Sequence, residues 1–330
     1  MAVPRNVRAA VFAITANPRN SEKATIFDWM NVAADLREAD AKGIVITKTW
    51  SSLEPSKENY NLHQLAKDIG SNIRDGREVF FGFQPINTTK RDIPSDLEHT
   101  RWDDPALIER YRELLDHLAS ESPAQPKYIS IGNEVDIYFQ KHPDEFSSYL
   151  RFYKAAYDLT HLKFPDSQIG VTVTHWGILT EGHESINQLL AISDIAIFTY
   201  YPLKDLDPLP LDQIENSLDA IVLAAQGKPV VLQEIGFPSG TLVGSSEEMQ
   251  AAFLTNIITG IKARPEFTFA SIFLLHDFSP AFCDQLAGYF GVSGSDDDAR
   301  KFRDVLCTLG LRKSDGQEKL AWRSVVDALK

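Results

Sequence analysis

Two apolar runs in this 330-residue chain end in a glutamate. Lys127-Tyr-Ile-Ser-Ile-Gly-Asn-Glu134 is β-rich and stops abruptly in Gly132, Asn133 and Glu134. Pro229-Val-Val-Leu-Gln-Glu234 has the same make-up later in the chain. A carboxylate at the end of a buried strand is costly unless it is paired or used. Two such groups facing one another would suit acid–base and nucleophilic work on a glycosidic bond. Cleavage with retention needs two carboxyls about 5–5.5 Å apart, one protonated and one ionised, and proximity itself helps to split their pKa values.

Other chemistry-bearing side chains also stand at or just after the ends of predicted strands: Lys48, Trp50, Gln84, Asn133, His175, Trp176, Tyr200, Tyr201, His276 and Asp277. Carboxylates, hydrogen-bonding groups and aromatic faces together suit a sugar, whose hydroxyls want polar partners and whose ring face wants Trp or Tyr. An Asn133 amide could hold a sugar hydroxyl, and a tyrosine from the sixth strand could hold the ionised nucleophile. Packing competes with binding for Tyr200 and Tyr201, and for Trp50 and Trp176 at the barrel rim. Asp136 reads as a loop residue near the groove. His175 and His276 could ligate a metal with Glu134 or Asp277, but no H-x-H or H-E-x-x-H spacing occurs, so no metal and no cofactor is expected.

Eight strand-like runs carry these residues, at 7–14, 44–50, 79–84, 127–134, 169–174, 195–200, 230–233 and 270–275. Helical patterns alternate with them: 25–41 (with Ile26, Trp29, Val32, Ala33 and Leu36 on one face), 62–74, 105–120, 143–164, 183–191, 211–225, 249–262 and a last one at 322–329. Loops take up Asn17 to Asn20 and Asn87 to Asp104. Alternation of this kind favours parallel sheet, and eight repeats with no compositional break point to an α/β fold of the (β/α)8 barrel type, one domain over 1–330. No G-x-G-x-x-G or G-K-[ST] marks a nucleotide fold. In such barrels the active site lies at the C-terminal ends of the strands, where the two glutamates fall.

The net charge of −13 disfavours nucleic acid and anionic membranes and is compatible with a neutral substrate; the strand-end residues make carbohydrate the expected partner, and a monomer is expected. Cys283 and Cys307 read as ordinary half-buried thiols, a single bridge being the lesser reading. The Asp296–Asp298 run reads as a solvated turn. The start, Met1-Ala-Val-Pro-Arg-Asn, has no apolar signal core, and no apolar stretch reaches the length of a membrane span. Cytoplasmic residence and export with the signal removed both stay open.

On Ile131-Gly-Asn-Glu134 and Gln233-Glu-Ile-Gly-Phe-Pro-Ser239 the chain resembles the retaining glycoside hydrolases of clan A, within which it looks closest to the β-1,3-glucanase and endo-β-1,4-galactanase families. Phe198-Thr-Tyr-Tyr-Pro202 is similar to their strand-six segment, and Leu311 to Trp322 to the clan's common ending. The resemblance implies Glu134 as acid/base, Glu234 as nucleophile and Asn133 as a binder of the sugar 2-hydroxyl. Two departures stand out: Lys48 where many members have Arg, and His276 where many have Trp. The expected activity is double-displacement cleavage of a β-glucan or galactan-type substrate. A carbohydrate-binding barrel without catalysis, and a metal-dependent barrel hydrolase or isomerase, are the alternatives. Sugar, linkage and endo or exo action are left open.

Overall fold

The structure, a computed structural model, describes residues 9–19, 21–122, 124–179, 184–292 and 294–330. The predicted starts of the first strand at residue 7 and of the helix at His183, and the loop residue Asn20, lie outside these. Two compact units emerge, one formed by Gly43–Thr199 with Val222–Gln233, the other by Met1–Lys42, Tyr200–Ile221 and Glu234–Lys330.

Nine strands carry the parallel ladders among the described residues: β1 Val11–Ile14, β2 Gly43–Thr49, β3 Glu78–Asn87, β4 Tyr128–Asn133, β5 Gln168–Gly170, β6 Thr172–Thr174, β7 Ala196–Tyr200, β8 Val230–Ile235 and β9 Phe267–Ile272. In the unit around Glu134, β2 pairs with β3, β3 with β4, β4 with β5 and β6 with β7. The predicted fifth strand is split into β5 and β6. The β3–β4 register shifts between Phe83 and Asn87, so that Asn87 comes level with Asn133 and the Thr88 N–H donates to the Asn133 carbonyl at 2.9 Å. Helices His63–Arg74, Pro105–Glu121 and Phe146–Lys163 accompany these strands. Pro105 opens the second of them behind an Asp104 cap. The core between strands and helices is aromatic: Trp50 lies 5.5 Å from Phe83, 5.9 Å from Tyr111 and 6.3 Å from Phe152, ring centre to ring centre.

In the unit around Glu234, β1 pairs with β9 from Val11↔Phe269 to Ile14↔Ile272. The Phe273 N–H donates to the Ile235 carbonyl and the Gly236 N–H to the Tyr200 carbonyl, lacing the strand ends together. The ninth strand ends three residues before the predicted limit, so His276 and Asp277 belong to the following loop. A buried ion pair fastens that loop: Lys319 Nζ reaches Asp277 Oδ1 at 3.1 Å, Ser239 Oγ at 3.0 Å and the Thr308 carbonyl at 2.9 Å.

Three local expectations are corrected here. Thr25 caps the first helix, Ile26–Glu38, by a capping box, but only Val32 and Leu36 are buried; Ile26 and Trp29 are exposed with Phe27 and Met30. Asp296 is a helix cap, and Asp297 and Asp298 lie in the first turn of helix Asp297–Cys307, where carboxylates suit the helix dipole. Cys283 and Cys307 form a disulfide, because helix Pro280–Tyr289 brings Cys283 to 5.9 Å from Cys307, Cα to Cα. Among the described residues no helix is long and apolar enough to cross a membrane.

Candidate active site

Glu134 is the residue at which β4 turns into the short helix Val135–Lys141, and it takes a left-handed backbone conformation, φ 46°. Gly132, two residues earlier, has φ +104°, and a Cβ there would come within 2.6 Å of Tyr149 Oη, which donates to the Ile131 carbonyl. The strand end therefore requires glycine, and it delivers Asn133 and Glu134 in one fixed pose.

Both carboxylate oxygens of Glu134 accept a hydroxyl. Thr199 Oγ1, near the end of β7, donates to Oε1 at 2.7 Å, and Thr88 Oγ1 donates to Oε2 at 2.8 Å. Burial is nonetheless the largest influence on Glu134: desolvation raises its pKa above the ordinary carboxylate range, while the two threonine hydroxyls pull it down. Asn133 lies behind this pair. Its Oδ1 accepts from Gln233 Nε2 at 2.8 Å, and its Nδ2 donates to Asn87 Oδ1 at 3.3 Å and Thr88 Oγ1 at 3.4 Å. Gln233 Oε1 accepts in turn from Thr172 Oγ1 at 2.5 Å, and Thr172 meets Ser130 Oγ at 2.6 Å. Every buried polar group named in this chain has a partner, as the interior demands.

Glu234 stands in different company. Tyr201 Oη donates to its Oε2 at 2.6 Å, a short bond that stabilises the ionised carboxylate. Room for that phenol comes from Gly236: a Cβ there would lie 2.2 Å from Tyr201 Cε1. Phe273 packs edge-on to the Tyr201 ring at 6.3 Å.

The remaining predicted residues separate clearly. Tyr200 is fully buried and stacks on Phe253 at 6.2 Å, so of the two tyrosines it is the core residue. Trp50 is 0% exposed; it begins a short helix, Trp50–Leu53, and its indole N–H donates to the buried Glu54, which Arg110 pairs. The expectation that Trp50 touches substrate is corrected on that ground. Asp277 is taken up by Lys319, and burial raises its pKa to about 6. His276 is buried and joined to Asn17 by three bonds: its N–H donates to Asn17 Oδ1, its carbonyl accepts from Asn17 Nδ2, and its Nδ1 lies 2.8 Å from the Asn17 carbonyl. Both hold loops and neither offers a surface to a sugar. Lys48 is exposed at the end of β2. His175 is buried, and desolvation lowers its pKa to about 4, so it is neutral; Trp176, 38% exposed, lies against its ring at 4.6 Å. Asp136 is buried, and it accepts from the Thr174 N–H at 2.9 Å and Oγ1 at 2.6 Å, which ties the Val135–Lys141 helix to the end of β6 and takes it out of any groove.

Sequence reasoning missed Thr88, Thr199 and Gln233. Threonines are common at strand ends, and Thr88 reaches Glu134 only through the register shift in β3. Gln233 had a signal, since a buried amide directly before a strand-end carboxylate must find a partner.

No family model matches the sequence, and no curated protein is similar to it. Solved structures are. A GH5_18 protein from Bifidobacterium longum subsp. longum matches 97% of this chain and 78% of its own at TM-score 0.74 and 17% identity. A GH5_18 variant from Streptomyces cattleya, in complex with Manβ1-4GlcNAc, matches 97% and 80% at TM-score 0.73 and 17% identity. Xylanase 10B from Thermotoga maritima matches 98% and 95% at TM-score 0.65 and 12% identity. The fold is a (β/α)8 barrel, shared with these solved structures. In a barrel of this kind the strands' C-terminal ends carry the active site, and β4 and β8 end at Asn133-Glu134 and Glu234-Ile235.

Proposed function

We propose that residues 1–330 work as one catalytic barrel, a retaining glycoside hydrolase in which Glu134 is the acid/base and Glu234 the nucleophile. The observation that carries this reading is the contrast between the two carboxyls. Desolvation favours the proton on Glu134, as a general acid needs. The Tyr201 phenol favours charge on Glu234, as a nucleophile needs. A barrel fold shared with glycoside hydrolases supports it.

In this reading a Glu234 oxygen attacks the anomeric carbon. The glycosidic bond breaks, and the leaving oxygen takes the Glu134 proton. Glu134, now ionised, then removes a proton from water as that water attacks the anomeric carbon. The glycosyl ester to Glu234 breaks, the sugar leaves with its original configuration, and both acids return to their starting states. Trp176 offers an exposed ring face to a sugar, while the Asn133 amide, bonded to Gln233, Asn87 and Thr88, serves the acid rather than a sugar hydroxyl.

The substrate proposed is a neutral β-linked glycan. The motif resemblance favours glucan and galactan, and a neighbour's complex with Manβ1-4GlcNAc adds β-1,4-mannosides. A panel of β-1,3-glucan, β-1,4-galactan and β-1,4-mannosides tests this. One substrate should be cleaved, and Glu134→Gln and Glu234→Gln should each lose about 10³-fold or more in kcat with an unchanged circular dichroism spectrum. Near-normal turnover by either variant overturns the assignment.

A further inference from the structure

We infer that Thr88 and Thr199 form a hydroxyl clamp that sets the ionisation of Glu134, with the Thr88 arm oriented by the amides of Asn133 and Gln233. The inference deepens the proposed function and rests on it for its catalytic meaning, though not for its measurement.

The geometry gives the clamp a direction. Gln233 Nε2 donates to Asn133 Oδ1, and Asn133 Nδ2 donates to Thr88 Oγ1. The Thr88 oxygen thus accepts from behind, and its own proton points to Glu134 Oε2 at 2.8 Å. Thr172 holds the far end by donating to Gln233 Oε1. The Thr199 hydroxyl supplies the second arm, on the other carboxylate oxygen. Two hydroxyl donors stabilise the charged form, while burial stabilises the neutral form. A residue that must be acid in one half of a double displacement and base in the other needs both influences. Desolvation alone would leave it protonated when water has to be activated, and the clamp alone would leave it ionised when a leaving group has to be protonated.

Other charged or titratable groups face this cluster. Asp136, on the helix that Glu134 begins, adds like charge. His175, which follows β6 and is bonded to the Thr199 backbone, is neutral. In the proposed reaction Glu234 is the remaining one.

The test is the Glu134 pKa itself, read from its side-chain carboxyl carbon by NMR titration of the full chain, beside the pH profile of kcat/KM. Thr199→Val removes one donor and should raise the Glu134 pKa by about one unit; Thr199→Ser keeps the donor and should restore the parent value. Thr88 sits at φ 52°, so Thr88→Gly removes the other donor at a position that favours glycine, and it should shift the pKa the same way. The basic limb of kcat/KM should move up in step. If the Glu134 pKa stays put in both donor-removing variants, the clamp is wrong whatever the activity does. If the pKa moves while the basic limb does not, the clamp stands and Glu134 is not the acid of the reaction.

Discussion

Glu134 and Glu234 end strands of similar composition, yet they meet different neighbours. Glu134 lies at a left-handed turn, desolvated, with a threonine hydroxyl on each oxygen and an amide chain behind. Glu234 accepts from the Tyr201 phenol at 2.6 Å, in a space that Gly236 leaves open. The donors come from neighbouring positions in sequence: Thr199 serves the first acid and Tyr201 the second, with the buried Tyr200 between them. Two apolar runs ending in glutamate are thus made unlike by what each strand end is given, and the proposed division between proton donor and nucleophile rests on that difference.

The largest way to break this contrast, after removal of either carboxyl, is to take away the phenol. Tyr201→Phe should lower kcat by about 10- to 100-fold, the value of one charge-assisted bond, and leave the Glu134-dependent basic limb where it was. A shift of that limb instead would mean that Tyr201 serves the acid. Gly236→Ala acts on the same group through space, because its methyl must displace the Tyr201 ring. It should cost a similar factor, and in a Tyr201→Ala background it should cost much less; full additivity in the double variant would show that Gly236 does something else.

A smaller effect is a matter of pH and stability. His175 binds a proton at about 4 in the folded chain but at about 6.5 unfolded. Between those values the unfolded state holds more protons, so its contribution to stability is present above pH 6.5 and is lost as pH falls toward 4. Asp136 runs the other way: its pKa is raised from 3.8 to about 6, so acidification over that range favours the folded state. Melting temperatures across this window should fall less on acidification in His175→Gln, and fall more in Asp136→Asn, than in the parent chain. Parallel curves for all three would contradict these assignments.

The barrel, and the position of each glutamate at the end of its strand, were legible because they depend on local pattern: alternating apolar runs, and a polar break where each run ends. What was not legible depends on register and on side-chain reach. Thr88 approaches Glu134 because β3 slips against β4, and no local pattern announces that slip. Trp50 and Trp176 look alike as strand-end aromatics, but Trp50 has Glu54 one turn along to receive its indole N–H, and it turns inward. The first helix misled in the opposite sense, since its apolar face includes Ile26 and Trp29, which the fold leaves exposed. Asp277 gave no hint of Lys319, its partner from the closing segment.

The central claim is that Glu234 forms the covalent bond to the sugar. An activated 2-deoxy-2-fluoro β-glycoside of the preferred sugar should add one glycosyl mass to the chain, and peptide mapping should locate it on Glu234. Turnover of the parent glycoside with no covalent adduct, or an adduct on another residue, would contradict it.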